Sequence, residues 1–347
     1  MQPDLPAAAL RLEIDSQALA GNWRALARLS GQAAAGAAIK ADGYGVGARR
    51  VAKVLSEAGC RDFFIAHWRE FADLRDVLEP SSVSVLHGPL TPADAAYGKA
   101  LGLKPAINTL HQAKLWLEAD GGPCDVMIDT GMNRLGLPMS EIGNEALKKL
   151  DIDVLMSHLA SADEDVPLNE RQRKAWEEAK SALSSRRSSL ANSAGIALGS
   201  AYHGELTRPG LSLYGGIQRQ ALEEHIRPVV RPMAAILQVR EIEAGDSVGY
   251  NATFVATQHM RVGTIALGYA DGYLRCWSGK GAMLSQGRRI PVLGRVSMDL
   301  TCIDLSAVPE LAEGDWVEAE YSLPHAAAVS GMSQYELLTG LGRRFSR

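Results

Sequence analysis

Lys40 is the first residue of this chain whose setting could do chemistry. It ends the apolar run AAAGAAIK and precedes the turn ADGYGVG. A cation at the end of a buried strand resists desolvation. Desolvation lowers an amine's pKa and makes it a better nucleophile toward a carbonyl carbon. On spacing alone, an ordinary lysine at a strand exit is the commoner reading. Tyr44 follows on the Gly-rich turn, where its hydroxyl suits a phosphate oxygen. Ser193 in NSAG and the Gly210–Leu211 backbone in TRPGL add the donors that short Ser/Gly turns present to anions. Arg208, in the same TRPG segment, donates hydrogen bonds and cannot accept them; a structural clamp is its alternative role. Arg134 has the planar fork that fits a carboxylate. His158 follows a β-type run, where a structural or loop-facing imidazole is the ordinary reading. Tyr250 lies among β-type segments, where a core aromatic is the ordinary reading.

Elements must bring these residues together. Residues 34–39 read as a buried strand of small residues, followed by a helical pattern with Val51, Val54, Leu55 and Ala58 on one face. Residues 63–66 read as a strand, followed by a helix carrying Phe71, Leu74 and Leu78. Residues 82–86 form another β-like run, Leu110, Ala113 and Leu117 mark a helix, and residues 126–129 a strand. Residues 154–156 precede a long polar helix around 169–184. Repeated β–α alternation favours parallel strands with helical crossovers, and the length suits an eight-stranded (β/α)8 TIM-type barrel. Lys40 would then sit at the C-terminal mouth of a barrel strand, where such barrels carry their active sites. No G-x-G-x-x-G follows the first strand, which argues against a dinucleotide fold. Two prolines in IRPVVRPMAAI mark a change of pattern. Beyond them β-type segments dominate, at 234–239, 261–267, 289–292 and 300–305. The expected division is therefore an α/β barrel over 1–227 and a mainly β domain over 228–347.

Composition excludes several classes. The net charge of −4 gives no basic surface for nucleic acid or a membrane. No apolar run approaches the roughly 20 residues of a membrane span. The N-terminus has an acid and two prolines where a signal peptide needs basic residues and an apolar stretch. Cys60, Cys124, Cys276 and Cys302 form no C-x-x-C pair, which speaks against a metal site or disulfide framework and for a reduced, cytoplasmic set of thiols.

The segment IKADGYGVG resembles the cofactor-lysine segment of the alanine racemases, pyridoxal-phosphate (PLP) enzymes of fold type III. Further signatures follow in family order: DTGMNRLG at 129–136, SHLASAD at 157–163, NSAG at 192–195 and TRPGLSLYG at 207–215. GYNATF at 249–254, GYADGY at 268–273, RVSMD at 295–299 and YELL at 335–338 complete the series, so the resemblance runs from about residue 10 to the end. It implies PLP on Lys40, with Tyr44, Ser193, Gly210, Leu211 and Tyr335 around the phosphate. Arg208 would meet the pyridine nitrogen, and because arginine keeps its proton the ring would stay largely unprotonated, which suits simple proton exchange at Cα. His158 would lie against the ring, and Arg134 would hold the phenolic oxygen and approach the substrate carboxylate. Two opposed bases racemise more simply than one mobile base. Lys40 would serve one face of Cα and Tyr250 the other, with a phenolic pKa near 10 that nearby cations would have to lower. The family places Tyr250 and Met298, the latter through its backbone, in the partner subunit's site, which implies a homodimer with shared sites. It also implies D-alanine supply for peptidoglycan.

One position departs from the family pattern. A lysine commonly stands two residues before the Asp of DTGM, where its carbamylated amine orients the arginine; here the residue is Met127. Arg134 must be positioned otherwise, by a bound anion or another carboxylate. A racemase of serine, lysine or broader specificity, a non-catalytic PLP carrier and a PLP decarboxylase are the alternatives.

Overall fold

The computed structural model describes residues 8–342 and 344–346. The chain divides into two compact units, residues 16–227 and residues 8–15 with 228–346.

The first unit is a closed parallel barrel. Its strands, in chain order, are 34–38 (Ala34–Ala35 and Ala37–Ala38), Phe63–Ile65, Val83–Val85, Lys104–Ile107, Cys124–Asp129, Ile152–Met156, Arg187–Ser189 and Leu206–Thr207. Each pairs in parallel with its sequence neighbour from the first to the seventh. Leu206–Thr207 pairs with Ala34–Ala35. The bonds Gly36 N to Thr207 O and Ala38 N to Pro209 O, both 2.9 Å, continue that seam. Glu205 N to Ser188 O (3.0 Å) and Arg208 N to Ala191 O (2.8 Å) join the last two strands. Small residues in the first strand follow from crowding: a Cβ on Gly36 would lie 2.9 Å from Asp62 O and from the Phe64 ring. Helices Ser16–Leu29, Ala48–Ala58, Pro92–Leu101, Leu110–Glu118 and Pro167–Ala182 supply the outer layer. The stretch bearing Phe71 and Leu74 is a 3-10 turn, Trp68–Leu74, not the α-helix its spacing suggests.

The second unit is antiparallel. Six strands, Val230–Ile242, Met260–Ile265, Thr301–Asp304, Arg288–Leu293, Ala282–Ser285 and Trp316–Ala319, are hydrogen-bonded in that order. Trp316–Ala319 pairs back to Val230–Ile242 and closes the ring. Leu10–Ile14 adds to Val230–Ile242, with Leu10 opposite Ala234 and Ile14 opposite Val230. This N-terminal strand therefore belongs with the second unit, although sequence order placed it with the barrel: its alternating burial needs a sheet edge, which Val230–Ile242 offers. No helix among the described residues is long and apolar enough to cross a membrane.

Candidate active site

The turn after the first barrel strand has an uncommon backbone. Ala41, Asp42, Gly43 and Tyr44 all adopt left-handed angles, with φ of 54, 54, 62 and 57°. For L-residues this costs roughly 1–2 kcal/mol each, so neighbours must hold the turn. Gly43 N bonds Ile39 O at 2.8 Å and Gly47 N bonds Asp42 O at 2.8 Å. Asp42 Oδ1 accepts from Ala48 N at 2.8 Å. Glu70 supplies the strongest tie. Its Oε1 accepts from Ala41 N at 2.8 Å, and its Oε2 from Ala66 N at 2.6 Å and His67 N at 3.3 Å. One carboxylate thus binds the exits of the first two strands together, next to Lys40. The Lys40 amine is lowered from its ordinary pKa by burial first, then by Arg134 and Arg208, while Glu70 opposes them.

A second cluster adjoins it. The Tyr44 ring stacks on Tyr214 with centroids 4.8 Å apart, and Tyr214 Oη donates to Ala38 O at 2.9 Å. A Cβ on Gly210 would lie 2.3 Å from Tyr44 Oη, so only glycine lets the phenol come so close. Ser193 Oγ accepts from Gly210 N at 2.9 Å and Ser212 N at 3.2 Å. With two donors already on its oxygen, the Ser193 hydroxyl still has its own proton to donate. Ser212 Oγ is buried without a hydrogen-bond partner among the described residues. Leu211 is buried behind the turn.

Arg208 stands beneath these groups, fully buried. Its guanidinium donates to Ser157 O, Ser189 O and Ser189 Oγ, all uncharged. Burial pulls its pKa down to about 10, which still leaves it a cation at neutral pH. His158 follows the sixth strand. Gln172 of the long helix fixes its loop, donating to His158 O at 2.9 Å and accepting from Ala160 N at 2.9 Å. Burial, then Arg208, Arg134 and Lys40, push the imidazole down to about 3; it is neutral at physiological pH. Arg134 is exposed on the loop after the fifth strand, shaped by Asp129 Oδ1, which accepts from Gly131 N (2.8 Å) and Met132 N (2.9 Å). Met127 is buried in that strand and offers Arg134 no charge. Arg134 and Arg208 both act electrostatically on Lys40 and on His158, and all four follow barrel strands at their C-terminal ends.

Three expected site residues lie in the second unit. Tyr250 is 62% exposed on a tight turn after Gly249, with Asn251 and Ala252 left-handed behind it. It is not the core aromatic that its β-rich surroundings suggest. Met298 is 53% exposed, and its carbonyl accepts from Ala270 N at 3.0 Å. Tyr335 is the second residue of the short helix Gln334–Thr339 and is exposed.

Comparison with known proteins identifies the family. Residues 14–218 match the family described as "alanine racemase, N-terminal domain", and residues 229–347 match "alanine racemase, C-terminal domain". This chain belongs to the alanine racemase family. An alanine racemase of Methylobacterium nodulans is 40% identical over 97% of this chain and 95% of its own. A catabolic alanine racemase of Rhizobium johnstonii is 40% identical over 97% and 93%. The crystal structure of the Bartonella henselae alanine racemase with covalently bound pyridoxal phosphate superposes with a TM-score of 0.89 at 32% identity, covering 99% of both chains.

Within this racemase fold, Glu70 is the residue of the candidate site that motif reading missed. A signal was present: His67 and Glu70 have the spacing of a capping box at the start of a turn. That pattern marks a helix start and says nothing of the second strand exit that the same carboxylate reaches.

Proposed function

We propose that the protein interconverts L-alanine and D-alanine with pyridoxal phosphate as cofactor, and that Lys40 carries the chemistry. One observation supports this above the others: a partly buried amine, its pKa lowered, set among two guanidiniums and a neutral imidazole at a barrel mouth. The donor set fits the cofactor. The Ser193 hydroxyl proton, the orphaned Ser212 Oγ and the Tyr44 phenol across Gly210 suit a phosphate. Lys40 would hold the aldehyde carbon, and Arg208 the ring nitrogen. Tyr44, Ser193, Gly210, Leu211 and Tyr335 would hold the phosphate, with His158 against the ring.

Pyridoxal phosphate, when bound, draws off the electron pair that proton loss leaves at Cα. The protein does the rest. Lys40, more often neutral than an exposed lysine, takes a proton from one face of Cα or returns one to it. The partner subunit's Tyr250 serves the other face, and its exposed position on a turn suits that use. Arg134 receives the substrate carboxylate, and Met298 is assigned to the partner's site. Arg208 keeps its proton throughout, and His158 stays neutral. The assembly is therefore a homodimer with shared sites. Its four free cysteines suit a reducing cytoplasm, and its D-alanine would serve as a peptidoglycan precursor.

A second reading has its own support. Met127 cannot hold Arg134 by charge, which leaves the carboxylate contact less constrained and favours a broader substrate range. Purified protein assayed for D/L interconversion over a panel of amino acids separates the two. Alanine should give the highest kcat/KM, and Lys40→Ala should abolish both activity and the yellow cofactor absorbance. Normal racemisation by Lys40→Ala would end the proposal.

A further inference from the structure

Two turns of the second unit are joined by one guanidinium. Arg344, beyond the short helix Gln334–Thr339, donates from Nε and Nη2 to the two oxygens of Asp271, at 2.7 and 2.9 Å. Its Nη1 donates to Asp299 at 2.6 Å. Asp271 is fully buried, and its Oδ2 also accepts from Gly268 N at 3.0 Å. Its carbonyl accepts from Gly342 N at 3.0 Å, which brings the segment bearing Arg344 against the same turn.

That turn in turn holds the one that carries Met298. Tyr269 N donates to Ser297 O and Ala270 N to Met298 O, both at 3.0 Å. A Cβ on Gly268 would lie 2.4 Å from Met298 O, so the two backbones are in contact. Ser297 N and Oγ both donate to Leu300 O, at 3.0 and 2.6 Å, and close the turn. The Tyr250 segment adjoins it, since a Cβ on Gly294 would lie 2.5 Å from Val248 O. Met298 and Leu300 are nevertheless 53% and 38% exposed. Apolar side chains on a turn so firmly held are displayed, not buried.

We propose that Arg344 is a positioning residue for the partner subunit's site: by bridging Asp271 and Asp299 it fixes where the turn bearing Met298 stands. This rests on the reading that Tyr250 and Met298 serve the partner. The energetics favour position over stability as its role. Desolvation offsets much of the attraction in an ion pair with a buried carboxylate. The arm to Asp299 joins two side chains that are 48% and 55% exposed, and such pairs add little stability. What the two arms supply is geometry. A guanidinium is planar and its N–H directions are fixed, so it sets the spacing of two carboxylates in a way that a lysine ammonium cannot reproduce.

Arg344→Gln removes both ion pairs; Arg344→Lys keeps a cation for the buried Asp271 and loses the fork, and it carries the test should the first variant not fold. In cofactor-loaded protein, amide hydrogen exchange over 295–300 should quicken roughly threefold or more in each, with the peptides around Lys40 unchanged. The kcat/KM for alanine should fall, roughly tenfold or more for Arg344→Gln and less for Arg344→Lys. Subunit mixing separates position from general damage. Re-associated in equal amounts with Lys40→Ala, either variant should gain about a quarter of wild-type activity above its own homodimer's share, because one site of the mixed dimer joins an intact barrel to an intact Met298 turn. With Tyr250→Phe there should be no gain, because both variants damage the same face. Unchanged exchange, wild-type kcat/KM in either variant, or a gain with Tyr250→Phe would overturn the proposal. The mixture of Lys40→Ala with Tyr250→Phe is the control. No gain there, in dimers shown to be mixed, brings down the reading of shared sites and this proposal with it. A gain there, with none from Arg344 variants and Lys40→Ala, brings down this proposal alone.

Discussion

His158 makes the fold sensitive to acid. Its pKa falls from an ordinary 6.5 to about 3, so between those values the unfolded chain binds a proton that the folded chain refuses. Stability is full above pH 6.5 and declines as pH drops toward 3. Asp125 acts oppositely: raised from 3.8 to about 6, it binds its proton more tightly when folded, and acidification from 6 to 4 favours the fold. Single variants separate the two. We expect the cofactor-free His158→Gln protein to lose less Tm than wild type between pH 7 and 4, measured by calorimetry; an equal loss would remove His158 as a source of acid sensitivity. At this scale the ordered motifs, not the residue types, made the candidate site legible: alone, Lys40 reads as a lysine at a strand exit and Arg208 as a structural clamp. Glu70 was not legible, because acidic residues beside strands are common and only the third dimension shows what faces them.

At the level of elements, the phosphate-side cluster depends on one missing methyl group. A Cβ on Gly210 would stand 2.3 Å from Tyr44 Oη, and such overpacking typically costs about 1–3 kcal/mol. Gly210→Ala should therefore lower both Tm and PLP affinity. In a Tyr44→Phe background the same change should cost less in Tm, because the clashing oxygen is gone. Equal costs in both backgrounds would show that the phenol does not set the spacing. The β–α alternation let the barrel be read before any coordinates, yet its closure was not readable. Strands seven and eight are Arg187–Ser189 and Leu206–Thr207, three and two residues, the former RSS. Neither length nor β-propensity marks them; the barrel fixes them through their neighbours and through Asp62 and Asp153, the ionic partners of Arg187. The turn at Trp68–Leu74 erred the other way, since i, i+3 apolar spacing also suits a 3-10 helix.

At the scale of the whole molecule, the proposal that Tyr250 serves a partner's site gives a quantitative expectation. Lys40→Ala and Tyr250→Phe should each be inactive as homodimers. Mixed and re-associated in equal amounts, half of the dimers would be mixed, each with one intact site of two, so activity should return to about a quarter of wild type. No recovery, with mixed dimers shown to form, would place Tyr250 outside the partner's site. The two-unit division was visible from the prolines near residue 230, whereas the strand Leu10–Ile14 was not, because nothing local says which sheet a single strand will join.

The central claim is a bond at one nitrogen. Borohydride reduction of the cofactor-loaded protein, followed by proteolysis and mass mapping, should leave a pyridoxyl group on the peptide that contains Lys40 and on no other. A label on another lysine, or none on a protein that racemises alanine, would contradict the account.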